Sequence, residues 1–318
     1  MTNIHLAIRF RKIVTAGLLN RKQTSFSAGV WFSTIGLMGI FHGGCLAGQV
    51  DVTGSKNDAA SALYTQEGTD PTFAAVQENH GGALGSRINV NHALLEQQVG
   101  KAGPIPKDIG LHTEFSSGIS RKAFGQWTRW YQEDGNVQVF RLFKDDQNVR
   151  NGSTHTGSPG RVEAYIARAL PVAPGIWHEY EATYTVIKPV GACIFQLMHD
   201  GKDQAGNALL WPFHIDMTAT GEIHFLRRHP GSNQERTIVM AENMAGKSLS
   251  VKVRANGEDY EVYQKEPLDK GPWKFVTKGS YTKAQGKISF RWGMYCGSKK
   301  GNAVPNDGLL FVTGVKFK

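Results

Sequence analysis

From about residue 110 onward the chain alternates apolar and polar residues in short runs. The clearest is Ile288-Ser289-Phe290-Arg291-Trp292-Gly293-Met294-Tyr295. Ile288, Phe290, Trp292 and Met294 share one parity; Ser289, Arg291, Gly293 and Tyr295 share the other. Period two sustained this long predicts a strand with one face in a core and one in water. The wet face lines up a cation, a position without a side chain and a phenol, which suits a ligand better than bulk solvent.

Similar runs occur at 137–142, 161–168, 178–187, 191–198, 222–227, 249–254, 260–264 and 309–316. Asn256-Gly257 between two of them predicts a tight hairpin. No run past residue 110 keeps a helical period, and no repeat of about 20–50 residues marks a propeller or solenoid. The expectation is an all-β fold over residues 106–318, a two-sheet antiparallel β-sandwich of jelly-roll, concanavalin-like type.

The first hundred residues differ in texture. Residues 49–105 are polar, rich in Gly, Ala, Asn and Gln, and read as an irregular linker or N-terminal extension, with helical turns at Ala59–Leu63 and His92–Leu95. In residues 1–48 a basic stretch ending at Arg21-Lys22 precedes the apolar run 29–41. That run has the length of a signal-peptide core and is too short to span a membrane as a helix. Cys45-Leu46-Ala47 is similar to a signal-peptidase site, so the mature protein is expected to be secreted or periplasmic. Lipid anchoring through Cys45 is the weaker alternative, because Phe41-His42-Gly43-Gly44 makes a poor lipobox.

Charge changes little. The formal +9 includes five bases and no acid in residues 1–48; taking those five from the total of 36 leaves 31 bases against 27 acids, or +4. That balance does not call for nucleic acid and leaves an acidic substrate open. Cys193 and Cys296 are the cysteines beyond the signal; both fall on the apolar parity of their runs and are expected in the core, reduced or bonded. No cysteine spacing indicates zinc, no organic cofactor is indicated, and no oxygen-rich loop argues for Ca²⁺, although a structural Ca²⁺ stays open.

Three runs carry polar residues opposite an apolar face: Arg161, Glu163 and Tyr165 in Arg161–Ile166; Gln196 in Ala192–His199; and Arg291 with Tyr295 in the first run described. Arg161-Val162-Glu163 resembles the R-(S/T)-E motif of the jelly-roll alginate lyases, polysaccharide lyase family seven. Phe195-Gln196-Leu197-Met198-His199 is similar to their Q-(I/V)-H motif and to the Q-W-H segment of the heparin lyase I-like family. Phe290-Arg291-Trp292-Gly293-Met294-Tyr295 resembles their F-K-A-G-x-Y motif. All three occur in the family's order.

The resemblance implies β-elimination on an anionic, uronate-containing polysaccharide; with the N-terminal signal, the expectation is an exported lyase, acting as a monomer. On that footing Arg161 and Gln196 neutralise the carboxylate, His199 acts as base or second neutraliser, and Tyr295 serves as acid, or as both acid and base. Glu163, Tyr165, His214 and Arg291 would line the substrate. This chain has Leu197 and Met198 where the family has one residue between Gln and His, so His199 needs a β-bulge to reach the face of Gln196. Without one, His214 in Trp211-Pro212-Phe213-His214-Ile215 is the candidate. Arg291 replaces the family's lysine, and Cys296-Gly297 replaces its polar residues.

Each residue also has a plainer reading. Arg-x-Glu on a strand is commonly a surface ion pair, a terminal Tyr a rim residue, and Trp127, Trp130 and Tyr131 either stack on a sugar or pack as ordinary aromatics. A non-catalytic, lectin-like sandwich therefore remains the alternative. A jelly-roll glycoside hydrolase would want an E-x-D-x-x-E run, and residues 110–318 contain none.

Overall fold

The computed structural model describes residues 58–66, 87–113, 130–144, 149–150, 153–154, 160–168, 170–173, 175–200, 212–228, 235–280, 286–296 and 304–318. The export signal expected in 1–48 lies outside these residues. In chain order the strands are β1 (Tyr64–Gln66), β2 (Ile88–Val90), β3 (Ile109–Thr113), β4 (Tyr131–Asp134), β5 (Val137–Leu142), β6 (Val149–Arg150), β7 (Ser153–Thr154), β8 (Arg161–Ile166), β9 (Leu170–Pro171) and β10 (His178–Lys188). They continue as β11 (Ala192–Asp200), β12 (Phe213–Met217), β13 (Ile223–Arg228), β14 (Glu235–Ala241), β15 (Ser248–Ala255), β16 (Asp259–Lys265), β17 (Lys274–Ser280), β18 (Lys287–Tyr295) and β19 (Gly308–Phe317).

One sheet has seven strands in the order β17-β16-β15-β10-β19-β5-β4. The other runs β14-β13-β12-β11-β18-β8-β3, with β9 added beside β18 to make eight. The pairings are antiparallel, so the chain builds the sandwich its alternation predicts. The Asn256-Gly257 hairpin joins β15 to β16. Gly257 takes φ +95°, and Asn256 Oδ1 accepts from the N–H groups of Glu258 and Asp259.

The core lies between the sheets and is dense in aromatics. Phe195, Phe213, Phe225, Phe290 and Trp292 project from the eight-stranded sheet and are fully buried. They meet Tyr180 and Tyr260 of the other sheet, with ring centroids 5.0 Å apart for Tyr180–Phe195 and 4.6 Å for Phe213–Tyr260. The Trp292 indole N–H donates to Gln138 Oε1 at 2.8 Å, and Gln138 Nε2 donates to the Tyr131 hydroxyl at 2.9 Å. A buried polar relay therefore satisfies the indole and pins β18 against β5. Trp130 and Tyr131 belong to this core rather than to a sugar platform, and Trp127 lies outside the described residues.

The N-terminal extension packs on the far face of the seven-stranded sheet. Helices Asp58–Ser61 and His92–Val99 flank the β1–β2 pair, and Asn91 caps the second by accepting from the Leu94 N–H. Ala60, Leu63, Ile88, Val90 and Leu95 form a second buried cluster with Val137, Val139, Ile187, Leu309 and Phe311. This explains why β5 is buried at every position: each of its faces has a partner. The eight-stranded sheet keeps the alternation of a half-exposed sheet.

Candidate active site

The outward face of the eight-stranded sheet gathers the predicted polar residues into two cross-strand rows, because directly paired residues share a face. One row runs His214 on β12, Gln196 on β11, Arg291 on β18 and Tyr165 on β8. The other runs His224 on β13, Asp216 on β12, Cys193 on β11, Tyr295 on β18 and Arg161 on β8. Between the rows Gly293 pairs with Glu163, which also pairs with His112 on β3. Four strands at ~4.8 Å spacing place the ends of the first row about 14 Å apart.

Glu163 organises the middle of this face. It is 1% exposed, and Gln196 Nε2 donates to its Oε1 while Arg161 Nη1 donates to its Oε2 at 3.3 Å. Amide and guanidinium are thus held side by side on the two oxygens of one carboxylate. Gln196 carries two N–H donors and Arg161 five, a donor set of the kind that binds carboxylates. The Arg161 guanidinium also lies 4.2 Å from the centroid of the Tyr295 ring.

Gly293 has a stricter cause than leaving room for a ligand. Its φ is +131°, and a Cβ there would stand 2.5 Å from the Val162 carbonyl oxygen and 2.8 Å from a Phe140 ring carbon. Tyr165 covers Gly110 in the same way: a Cβ on Gly110 would fall 2.2 Å from the Tyr165 ring. The strands flanking the Arg161–Glu163 pair approach as closely as they do because these positions lack side chains.

Two β-bulges set which residues look outward. Against β12, β11 spends two residues (Cys193 to Phe195) where its partner spends one; against β11, β18 spends three (Trp292 to Tyr295) where β11 spends two. Ile194 and Phe195 both turn into the core, so Cys193 reverses onto the outward face beside Tyr295 and Asp216. Both Cys193 and Cys296 were expected in the core, reduced or bonded; both are buried free thiols, but only Cys296 belongs to the core cluster, Cys193 being turned to the outward face.

No bulge separates Gln196 from His199. The register runs unbroken from Phe195 to Asp200, and the outward position two residues beyond Gln196 belongs to Met198. The side chain of His199 lies outside the described residues. His214 pairs directly with Gln196 and is 17% exposed at its side chain, with Nδ1 3.8 Å from Asp216 Oδ1. Sequence parity missed His112, Asp216 and Cys193. The first two sit in short runs whose alternation is visible only once β3 and β12 have partners, and the third is displaced by the bulge.

The Cys193 thiol is pushed well above its ordinary value, by burial first and then by the charges of Asp216 and Glu163. Its Sγ lies 3.1 Å from the Phe195 carbonyl oxygen and hydrogen-bonds to Asp216. The face as a whole offers two guanidiniums and an amide to hold an anion, imidazoles and a phenol to move protons, and a buried carboxylate that orients the first group.

No family model matches the chain, and no curated protein matches it. Solved structures similar to it include the alginate lyase from Klebsiella pneumoniae, at 15% identity and TM-score 0.49, covering 66% of this chain and 95% of that one. Alginate lyase A1-II′, a member of polysaccharide lyase family 7, gives 11% identity and TM-score 0.48 over 66% and 94%. Alginate lyase AlyC3 gives 9% and 0.47 over 66% and 89%.

Proposed function

We propose that this protein is an exported lyase that cleaves a uronate-containing polysaccharide by β-elimination. The observation that carries the reading is the convergence of Arg161, Gln196, His214, Arg291 and Tyr295 on one sheet face, with Arg161 and Gln196 tied together by Glu163. Among the described residues no helix is long and apolar enough to cross a membrane.

In this reaction the uronate carboxylate docks against Arg161 and Gln196, with Arg291 adding charge from the neighbouring strand. Neutralising that carboxylate makes the C5 proton more acidic, because the charge left on C5 delocalises into the carboxyl group. A base removes the proton, the electron pair forms the C4–C5 double bond, and the C4–O bond breaks as the leaving oxygen gains a proton. Tyr295 supplies that proton. A phenol of ordinary pKa ~10 can cycle through its ionised form here because Arg161 lies against its ring. His214, cross-strand from Gln196, is the histidine placed to take the C5 proton; His199 would need its side chain turned to the same face.

Alginate, glucuronan, heparin-type and chondroitin-type polymers are the substrates to test. Ultraviolet absorbance from the new double bond should rise with at least one of them. Tyr295→Phe should lower that rate by about 10²–10⁴-fold, the usual contribution of a positioned acid or base. Binding without any rise in absorbance, together with a Tyr295→Phe protein that binds equally well, would leave the lectin-like alternative standing instead.

A further inference from the structure

We infer that Cys193, His214 and Asp216 form a binding site for a thiophilic divalent transition metal such as Zn²⁺, on the outward face of the eight-stranded sheet. One ligand atom from each lies within 4.8 Å of the other two. The sheet produces this arrangement directly. Cys193 and Asp216 are paired across β11 and β12, and His214 lies two residues from Asp216 on the same strand and face. The thiol reaches that face only because the bulge at Ile194 and Phe195 turns it out of the core.

The donor set has the right chemistry. Thiolate sulfur and imidazole nitrogen suit Zn²⁺ or Co²⁺, and a carboxylate completes a three-ligand set of the kind that leaves a fourth position open. Bonds of ~2.3 Å to sulfur and ~2.0 Å to nitrogen and oxygen place the ligand atoms of a tetrahedral site about 3.5 Å apart. The present spacing needs to close by about 1 Å, within the reach of side-chain torsions. Cys193 is 5% exposed, while the side chains of His214 and Asp216 are 17% and 32% exposed. The sulfur is therefore the deepest donor and the other two lie nearer the surface, with Cys193 and Asp216 in the same cross-strand row as Tyr295 and Arg161.

The site does not depend on the lyase reading, since it predicts metal binding whatever the protein acts on. With a metal in place, His214 is a ligand and no longer accepts a proton at its bound nitrogen. A lyase would then have to abstract the C5 proton with Tyr295.

The test is titration of the full chain, stripped with chelator and kept reduced, with Co²⁺ alone and then Zn²⁺ alone. One equivalent of Co²⁺ should produce a thiolate-to-cobalt charge-transfer band in the near ultraviolet, which Zn²⁺ should displace. Cys296→Ser should keep the band, and Cys193→Ser should abolish it. Asp216→Asn, at a partly exposed position that tolerates the change, should weaken Zn²⁺ binding at least about 100-fold, more than the loss of a supporting partner costs. The inference is overturned if no charge-transfer band forms, if the band survives Cys193→Ser, or if Asp216→Asn binds as tightly as the parent.

Discussion

Glu163 is chemically mute in the proposed reaction, yet the positions of two acting groups depend on it. Its carboxylate is buried with Arg161 on one oxygen and Gln196 on the other, and hydrogen bonds to a buried charge are worth about 1.5–3 kcal/mol each. Glu163→Gln keeps the shape but not the charge. Urea unfolding should show a loss of about 1.5–3 kcal/mol. Lyase turnover should fall with it, because Arg161 then lacks its counter-charge and Gln196 faces another amide. An unchanged unfolding midpoint would show that the pair is not formed in solution.

Cys296 makes a second prediction at this scale. Burial pushes its thiol up from 9.0 to about 12. The thiol is neutral when protonated, so a raised pKa favours the folded state while the proton is on. That contribution is complete below the unfolded pKa near 9 and is lost as pH climbs towards 12. Tyr180 and Tyr184, raised chiefly by burial, act in the same direction at still higher pH. The melting temperature should fall with rising pH across this window, and Cys296→Ala should flatten the early part of the decline. A melting temperature that rises across the window would contradict the assignment.

At the scale of the strand, the paired bulges in β11 and β18 decide what the face displays. Gly293 sits inside the second, and Gly293→Ala adds a methyl 2.5 Å from a carbonyl oxygen at a positive φ. The combined strain and clash should cost at least about 2 kcal/mol, measurable as a drop in melting temperature. The alternation of β8 and β18 was legible because β8 is regular and β18 keeps an unbroken register against it, its bulge appearing only against β11. Arg161, Glu163, Tyr165, Gln196, Arg291 and Tyr295 accordingly fall where period two places them. Cys193 did not, because period two counts residues and a bulge spends one without changing the sequence pattern. His214 could be named only as an alternative, since its neighbour Gln196 lies across a strand pair and that pairing is not written in either segment alone. The extension's role was equally hidden. Leu63, Ile88 and Leu95 are too sparse for a periodic signal, and their partners lie tens to hundreds of residues away.

At the scale of the molecule, the N-terminal extension covers the β5–β19 part of the seven-stranded sheet's far face, while the eight-stranded sheet leaves its outer face open. The candidate site lies on that open face, where polar side chains need no apolar partner. The strand order has a consequence for how the protein comes to exist. β19 lies between β10 and β5 near the middle of its sheet, yet it is made after every other strand of the two sheets. Until it emerges, β10 and β5 have no common neighbour, and Leu63, Ile88 and Leu95 wait for Leu309 and Phe311. Contacts this distant in sequence form slowly, so the seven-stranded sheet closes only once the end of the chain is made. In the export proposed above, a keystone strand delivered at the end would leave the halves of the sheet unjoined until the last residues are made.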